Sequence, residues 1–158
     1  MITWGAFAEQ RPDLAEAGRS LLYQFGVGLA FLATTRKDGA PRVNPMCPLL
    51  GDEGLYSFIV PSRKRNDLHR DGRYAMHSFP TDDNEDAFSL AGAAEIVMEA
   101  EVVEALGRRF AEERTLSDLP TELPTWEPFE FRLGSCLLTR TVGHGDPDPQ
   151  HTIWRAAP

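Results

Sequence analysis

The chain has 158 residues, of which 42% are hydrophobic, and this predicts one globular domain spanning residues 1–158. The formal net charge of -8 argues against a nucleic-acid partner or an anionic membrane, because either would require a broad basic face. Cys47 and Cys136, the two cysteines, lie far apart in apolar stretches, so neither a disulfide framework nor a cysteine-based metal site is expected. There is no signal-peptide pattern and no apolar run of membrane-spanning length, so we expect a cytoplasmic protein.

The first part of the chain has helical periodicity. Thr3 can cap a short turn that runs to Gln10, and Pro12 stands where the first residue of a helix would be. From residue 29 the period changes to that of β-strands. Strands are predicted at residues 29–35, 42–50 and 55–60, with a hairpin turn at 37–39 between the first two.

The remaining elements alternate between strands and inserted helices. Ser62 is the expected N-cap of a short helix at 63–70, and a second helix is predicted at 102–114. Residues 116–128 are rich in proline and are expected to be irregular. Further strands are predicted at 73–79, 88–97, 129–142 and 151–155. This order favours a mainly β, α+β protein: a six- to seven-stranded antiparallel barrel with an N-terminal helix and two inserted helices.

A basic segment in this acidic chain is the strongest functional signal. Ser62-Arg63-Lys64-Arg65 follows an apolar strand directly, and Arg42-Val43-Asn44-Pro45 lies on the predicted neighbouring strand. A hydroxyl, arginine forks, a lysine charge and a helix N-terminus together suit a phosphate group. The alternative interpretation is a solvated charged turn, and the residues alone leave both open.

Several common motifs are missing. The chain has no dinucleotide-binding glycine fingerprint, no phosphate-binding P-loop and no nucleophile elbow. The four histidines show no metal-ligand spacing, and the acidic loop at 82–86 lacks the spacing and glycine of a calcium loop. We therefore predict no metal site.

In its order of elements and motifs, the chain resembles the pyridoxamine 5'-phosphate oxidase-like superfamily of flavin-binding split β-barrels. The stretches that carry the resemblance are residues 29–35 with the turn at 37–39, Pro41-Arg42-Val43-Asn44-Pro45, residues 55–58, residues 62–68, residues 73–77 and Trp154-Arg155. Each stretch alone is weakly specific, whereas the ordered set is specific for the fold.

The resemblance implies a site for flavin mononucleotide (FMN). Its implied phosphate ligands are Arg42 and Lys64, with further phosphate or ribityl contacts from Ser62, Arg63 and Asn66. Asn44 and Pro45 would line the flavin ring, with the backbone of Val60 and Pro61 along its edge, and Val43 is a further implied cofactor-binding residue. The resemblance also implies a homodimer with the cofactor between subunits, where Trp154 of the second subunit could stack near the ring.

The expected function is that of an FMN-dependent oxidoreductase acting on a small molecule. No catalytic residue is predicted, because hydride transfer to or from a flavin requires no acid or base from the protein. The end of the chain, residues 151–155, lacks the arginine-rich signature that holds pyridoxamine phosphate, so that substrate is not expected. The alternatives are a deazaflavin-dependent reductase, a flavin- or haem-binding protein without turnover, and a barrel without flavin.

Overall fold

A computed structural model describes residues 1–116 and 125–157, and these form four helices and eight strands. In chain order the elements are α1 (Trp4–Gln10), α2 (Pro12–Leu22), β1 (Ala30–Thr35), β2 (Pro41–Met46), β3 (Leu49–Leu50), β4 (Leu55–Ile59), α3 (Arg63–Arg70), β5 (Arg73–Ser78), β6 (Ala87–Ile96), α4 (Ala100–Glu113), β7 (Glu127–Arg140) and β8 (Gln150–Arg155).

The local signals in the sequence placed most boundaries correctly. Thr3 caps α1 by accepting a hydrogen bond from the Ala6 amide at 3.3 Å, and Pro12 begins α2, so the N-terminal helical region is two helices. The predicted second strand is divided into β2 and β3, which brings the number of strands to eight. The division falls at Pro48, which has no N–H to donate to a strand ladder. Of the segment predicted to be irregular, residues 117–124 lie outside the described residues.

The strands form one antiparallel sheet in the order β2-β1-β5-β6-β7-β4-β3. Strand β7 has 14 residues, and it pairs with β6 along one edge and with β4 and then β8 along the other. The two ends of this order, β2 and β3, are separated in sequence by Cys47 and Pro48 alone. The sheet must therefore curl until its edges approach each other, which confirms the predicted antiparallel split barrel.

One hydrophobic core fills the barrel and extends beneath the N-terminal helices. Its largest fully buried side chains include Trp4 and Phe7 of α1, Phe88 of β6 and Phe131 of β7. The Trp4 ring lies edge-on to Phe7 and Phe88, with centroid separations of 5.4 and 6.3 Å. Helices α1 and α2 thus cover the sheet face that would otherwise expose these aromatic rings. Among the described helices, none is long and apolar enough to cross a membrane.

Helix α4 packs over the outer face of β3 and β4. Leu106 and Phe110 form a second apolar cluster with Leu49, and the guanidinium of Arg109 donates to the Leu50 carbonyl. The C-terminal end of α4 is held by Glu113, which accepts hydrogen bonds from the Tyr23 hydroxyl at 3.0 Å and the Gly28 amide at 3.3 Å. Burial raises the pKa of Tyr23 to about 12, so this hydroxyl remains a donor at neutral pH.

The β6–β7 pairing shifts register between Ala91 and Gly92. The resulting bulge leaves no room for a side chain at Gly92. A Cβ there would lie 1.9 Å from the Arg132 carbonyl oxygen, whereas a Cβ at Gly143 meets nothing within 4 Å. We predict that Gly92→Ala lowers the free energy of unfolding by about 1–3 kcal/mol. The control Gly143→Ala should change it by less than about 0.5 kcal/mol. Urea denaturation of both variants checks this, and equal stability would show that the bulge can open to accept a methyl group.

Candidate anion-binding site

A basic surface pocket lies where helix α3 begins beside the β1–β2 hairpin. Its volume is about 590 Å³, and its lining comes from three segments. The lining residues are Arg36, Lys37 and Asp38 of the hairpin turn, Arg42 of β2, and Arg63, Asn66 and Asp67 of α3. Four basic and two acidic side chains therefore surround the pocket in a chain whose net charge is -8. We call this feature the basic pocket.

Arg42 is fixed in the wall of the basic pocket by a buried carboxylate. Its Nε donates to Oδ2 of Asp67 at 2.7 Å, and the two side chains are 24% and 4% exposed, respectively. The same oxygen accepts from the Thr34 hydroxyl at 3.1 Å, while Oδ1 accepts from Arg70 at 3.0 Å. Within the described ranges, the terminal nitrogens of Arg42 have no protein acceptor. They form a fork that is available to an anion.

The three consecutive basic residues at the start of α3 diverge, because successive residues of a helix are about 100° apart. Arg63 lines the basic pocket, and its side chain has no protein partner in the described part of the chain. Lys64 turns towards β2, where its Nζ donates to the Pro45 carbonyl at 3.0 Å. Arg65 reaches the other way, to the Thr125 carbonyl at 3.0 Å and the Glu127 carboxylate at 3.6 Å. The cluster thus supplies one cation to the pocket, one to β2 and one to β7.

Burial shifts the pKa values of Asp67, which is bonded to Arg42, and of Lys64, which is bonded to the β2 backbone. Desolvation lowers the pKa of Lys64, and the nearby Cys47 offsets this only in part. Burial raises the pKa of Asp67, but hydrogen bonds from Arg42, Arg70 and Thr34 outweigh it and leave that pKa below its ordinary value. Asp67 is thus an ionised buried carboxylate, whereas Lys64 is an ammonium that an added anion would stabilise.

On β2, side chains alternate between the barrel side and the outer face of the sheet. Arg42 and Asn44 point to the barrel side, whereas Val43 and Pro45 are exposed on the outer face. The Asn44 Nδ2 atom is buried and has no hydrogen-bond partner among the described residues. A buried amide donor without an acceptor lowers the stability of the fold at this point.

The other predicted site residues occupy the β4–α3 junction and the C-terminal strand. Ser62 caps α3 by accepting from the Arg65 amide at 3.4 Å, and its hydroxyl donates to the Val60 carbonyl at 2.9 Å. Val60 and Pro61 are exposed beside it. Trp154 of β8 packs on Phe7 of its own protomer, with ring centroids 4.9 Å apart. A cofactor contact from Trp154 of a second subunit remains a prediction.

The basic pocket includes four residues that the sequence did not identify as functional. Lys37 and Asp38 were assigned only to the hairpin turn at 37–39, where Gly39 has a φ of +83°, and Arg36 was assigned no role. Asp67 was one acidic residue in a basic helix, and its burial becomes evident only from the packing of α3 on β1. The described residues contain no cluster of His, Cys, Asp and Glu that could hold a metal ion.

Comparison with known proteins identifies the fold. No family model matches the chain, and no curated protein matches it. A solved protein from Clostridium acetobutylicum, related to general stress protein 26 and of the pyridoxinephosphate oxidase family, is 15% identical. That match covers 96% of this chain and 95% of the other, with a TM-score of 0.59.

Two further solved structures have different names. An F420 reductase is 21% identical over 74% of this chain and 94% of its own, with a TM-score of 0.60. A haem-binding protein from Mycobacterium smegmatis is 18% identical over 86% of this chain and 57% of its own, with a TM-score of 0.59. Identities this low establish the fold alone. The chain therefore has the split-barrel fold of the pyridoxamine 5'-phosphate oxidase-like proteins.

Proposed function

We propose that this protein is an FMN-dependent oxidoreductase that acts on a small molecule other than pyridoxamine phosphate. The observation that carries the proposal is the basic pocket, where Arg42, Arg63 and Asn66 surround a cavity at the N-terminus of α3. The free fork of Arg42 can bind two phosphate oxygens, and the helix N-terminus adds backbone N–H donors. Lys64, Ser62 and the backbone of Val60 and Pro61 border the same junction.

The chain's own residues fit the two chemically different ends of FMN. Arg42, Arg63 and Lys64 would supply positive charge to the phosphate, and Asn66 an amide to the phosphate or the ribityl chain. Val43 and Pro45, both exposed on the outer face of β2, would give apolar contact to the ring, whereas Asn44 points to the barrel side of the same strand. When bound, flavin supplies hydride-transfer chemistry, so the protein needs only to bind the cofactor and orient the substrate.

The deazaflavin coenzyme is a second candidate, and the hairpin turn of the basic pocket favours it. Lys37 has no ion-pair partner within the described residues, whereas Arg36 pairs with Asp38 at 3.0 Å. These hairpin cations extend the positive surface beyond what one phosphate requires, and this cofactor carries a longer anionic tail. The spectrum and mass of the cofactor that co-purifies with the protein separate the two candidates. A bound flavin or haem that no nicotinamide nucleotide reduces would indicate binding without turnover.

We propose a homodimer that uses the outer face of the sheet, with the cofactor between subunits. Two adjacent rows of outward side chains cross six strands, and among them only His77 and Arg155 can carry charge. The rows are Pro45, Phe31, His77, Ser89, Leu137 and Ile153, followed by Val43, Ala33, Ala75, Ala91, Ser135 and Arg155. Val43 is 63% exposed and Ile153 is 54% exposed, so a partner surface would bury apolar area here.

A cytoplasmic location is part of the proposal. Both cysteines are free thiols, with Cys47 exposed and Cys136 buried. An exposed thiol without a disulfide partner suits a reducing compartment.

Loss of the two proposed phosphate ligands should abolish tight cofactor binding. We predict that Arg42→Ala combined with Lys64→Ala weakens FMN binding by about 2–5 kcal/mol, because a bound phosphate loses its charged partners. Fluorescence titration with FMN measures this. Riboflavin, which lacks the phosphate, should lose far less affinity.

The control for this prediction is Arg19→Ala combined with Arg108→Ala, which removes two positive charges from helix surfaces outside the basic pocket. Its FMN affinity should stay within about twofold of wild type, since screened distant charges contribute little. Unchanged FMN affinity in the Arg42/Lys64 variant would refute the assignment of the phosphate site.

The dimer prediction is tested by placing a charge at the centre of the two rows, among their small uncharged side chains. Ala75→Arg should convert the dimer to a monomer, because the guanidinium would be buried without a partner. It should also reduce cofactor retention if the cofactor lies between subunits. Ala105→Arg, on the exposed side of α4, is the matched control and should remain dimeric. Light scattering coupled to size exclusion gives the masses, and a monomeric wild-type protein would contradict the proposed assembly.

A further inference from the structure

Among the described residues, Asp67 is the only buried acidic side chain in the wall of the basic pocket, and both of its oxygens are already bonded within the protein. The side chain is 4% exposed, and a bound phosphate would be repelled by its charge. We propose that Asp67 is the positioning residue of the anion site and that it acts through Arg42. This inference rests on the proposed function, because it concerns the same pocket.

The first step of the argument is the way in which Asp67 holds Arg42. A single short hydrogen bond of 2.7 Å joins Nε to Oδ2, and it uses the one guanidinium nitrogen that is not part of the terminal fork. Because the guanidinium is planar, fixing Nε restricts the direction of both terminal nitrogens. Asp67 therefore sets the orientation of the fork without occupying it.

The second step is the way in which Asp67 itself is held. The Thr34 hydroxyl of β1 donates to Oδ2, and Arg70, one helical turn along α3, donates to Oδ1. One carboxylate thus connects α3, β2 and β1. Helix α3 carries Arg63 and β2 carries Arg42, and β1 leads into the hairpin turn that lines the pocket. With Arg42 and Arg70 both bonded to it, the three side chains together keep one positive charge.

The third step is that positioning and electrostatics predict opposite effects of neutralising Asp67. If its charge merely opposed the phosphate, then Asp67→Asn would tighten anion binding. If it orients Arg42, the same change weakens binding, because the fork must then be ordered when the ligand arrives. The weakening must also disappear when Arg42 is absent.

A double-mutant cycle tests this on the intact protein. Wild type, Asp67→Asn, Arg42→Ala and the double variant are titrated with FMN, and with inorganic phosphate by ³¹P NMR as a probe that requires no flavin site. We expect Asp67→Asn to lower the affinity for both ligands by about tenfold, as for the loss of a hydrogen bond to a charged group. In the Arg42→Ala background it should change neither affinity by more than about twofold.

Leu106→Ala controls for lost stability, since it leaves a cavity in the apolar cluster of α4 while keeping Thr34, Asp67 and Arg42 unchanged. Urea unfolding ranks the variants, and Leu106→Ala should keep phosphate and FMN affinity within about twofold.

The outcomes separate this inference from the proposed function. If wild type binds phosphate but not FMN, the proposed function fails, and the phosphate cycle still decides the role of Asp67. Tighter or unchanged binding by Asp67→Asn, or equal weakening with and without Arg42, overturns the positioning role. Failure of wild type to bind either probe overturns both.

Discussion

The candidate site depends on one buried carboxylate. Asp67 lies almost completely out of water, and a buried charge is tolerated only when it is paired and hydrogen-bonded. Its three partners come from β1, β2 and α3, so satisfying this single group draws those elements together. The basic pocket forms at this junction. The same requirement that makes Asp67 compatible with the fold therefore shapes the surface on which an anion can bind.

The sheet makes this junction possible. Because β7 is long enough to pair with β6 on one edge and with both β4 and β8 on the other, the strand order can turn back on itself. The curling of the sheet brings the end of β4, and α3 directly after it, beside β2. Lys64 then reaches a carbonyl of β2 at 3.0 Å although 19 residues separate the two groups. The position of the site thus depends on the closure of the sheet and on the residue at which β4 ends.

The pocket and the outer face of the sheet together suit a cofactor that has an anionic tail and an apolar ring. Positive charge is concentrated where the hairpin meets α3, and the adjacent β2 presents a buried amide without an acceptor on one side and apolar side chains on the other. The apolar side of β2 would suit the ring of either proposed cofactor, FMN or the deazaflavin coenzyme, equally well. The two differ in the length of the tail, and therefore in how much of the hairpin they would contact.

Sequence alone determined the elements and the class of fold, because caps, prolines and changes of hydrophobic period act over a few residues. It correctly placed α3 with its Ser62 cap, and it identified Arg42, Arg63 and Asn66, which do share one pocket. Only the tertiary structure showed that Arg65 turns away to β7, that Arg36 and Lys37 join the pocket, and that Asp67 connects three elements. These features depend on contacts between residues distant in sequence, and on which side of a helix or strand faces the barrel once it closes, so no local pattern could encode them.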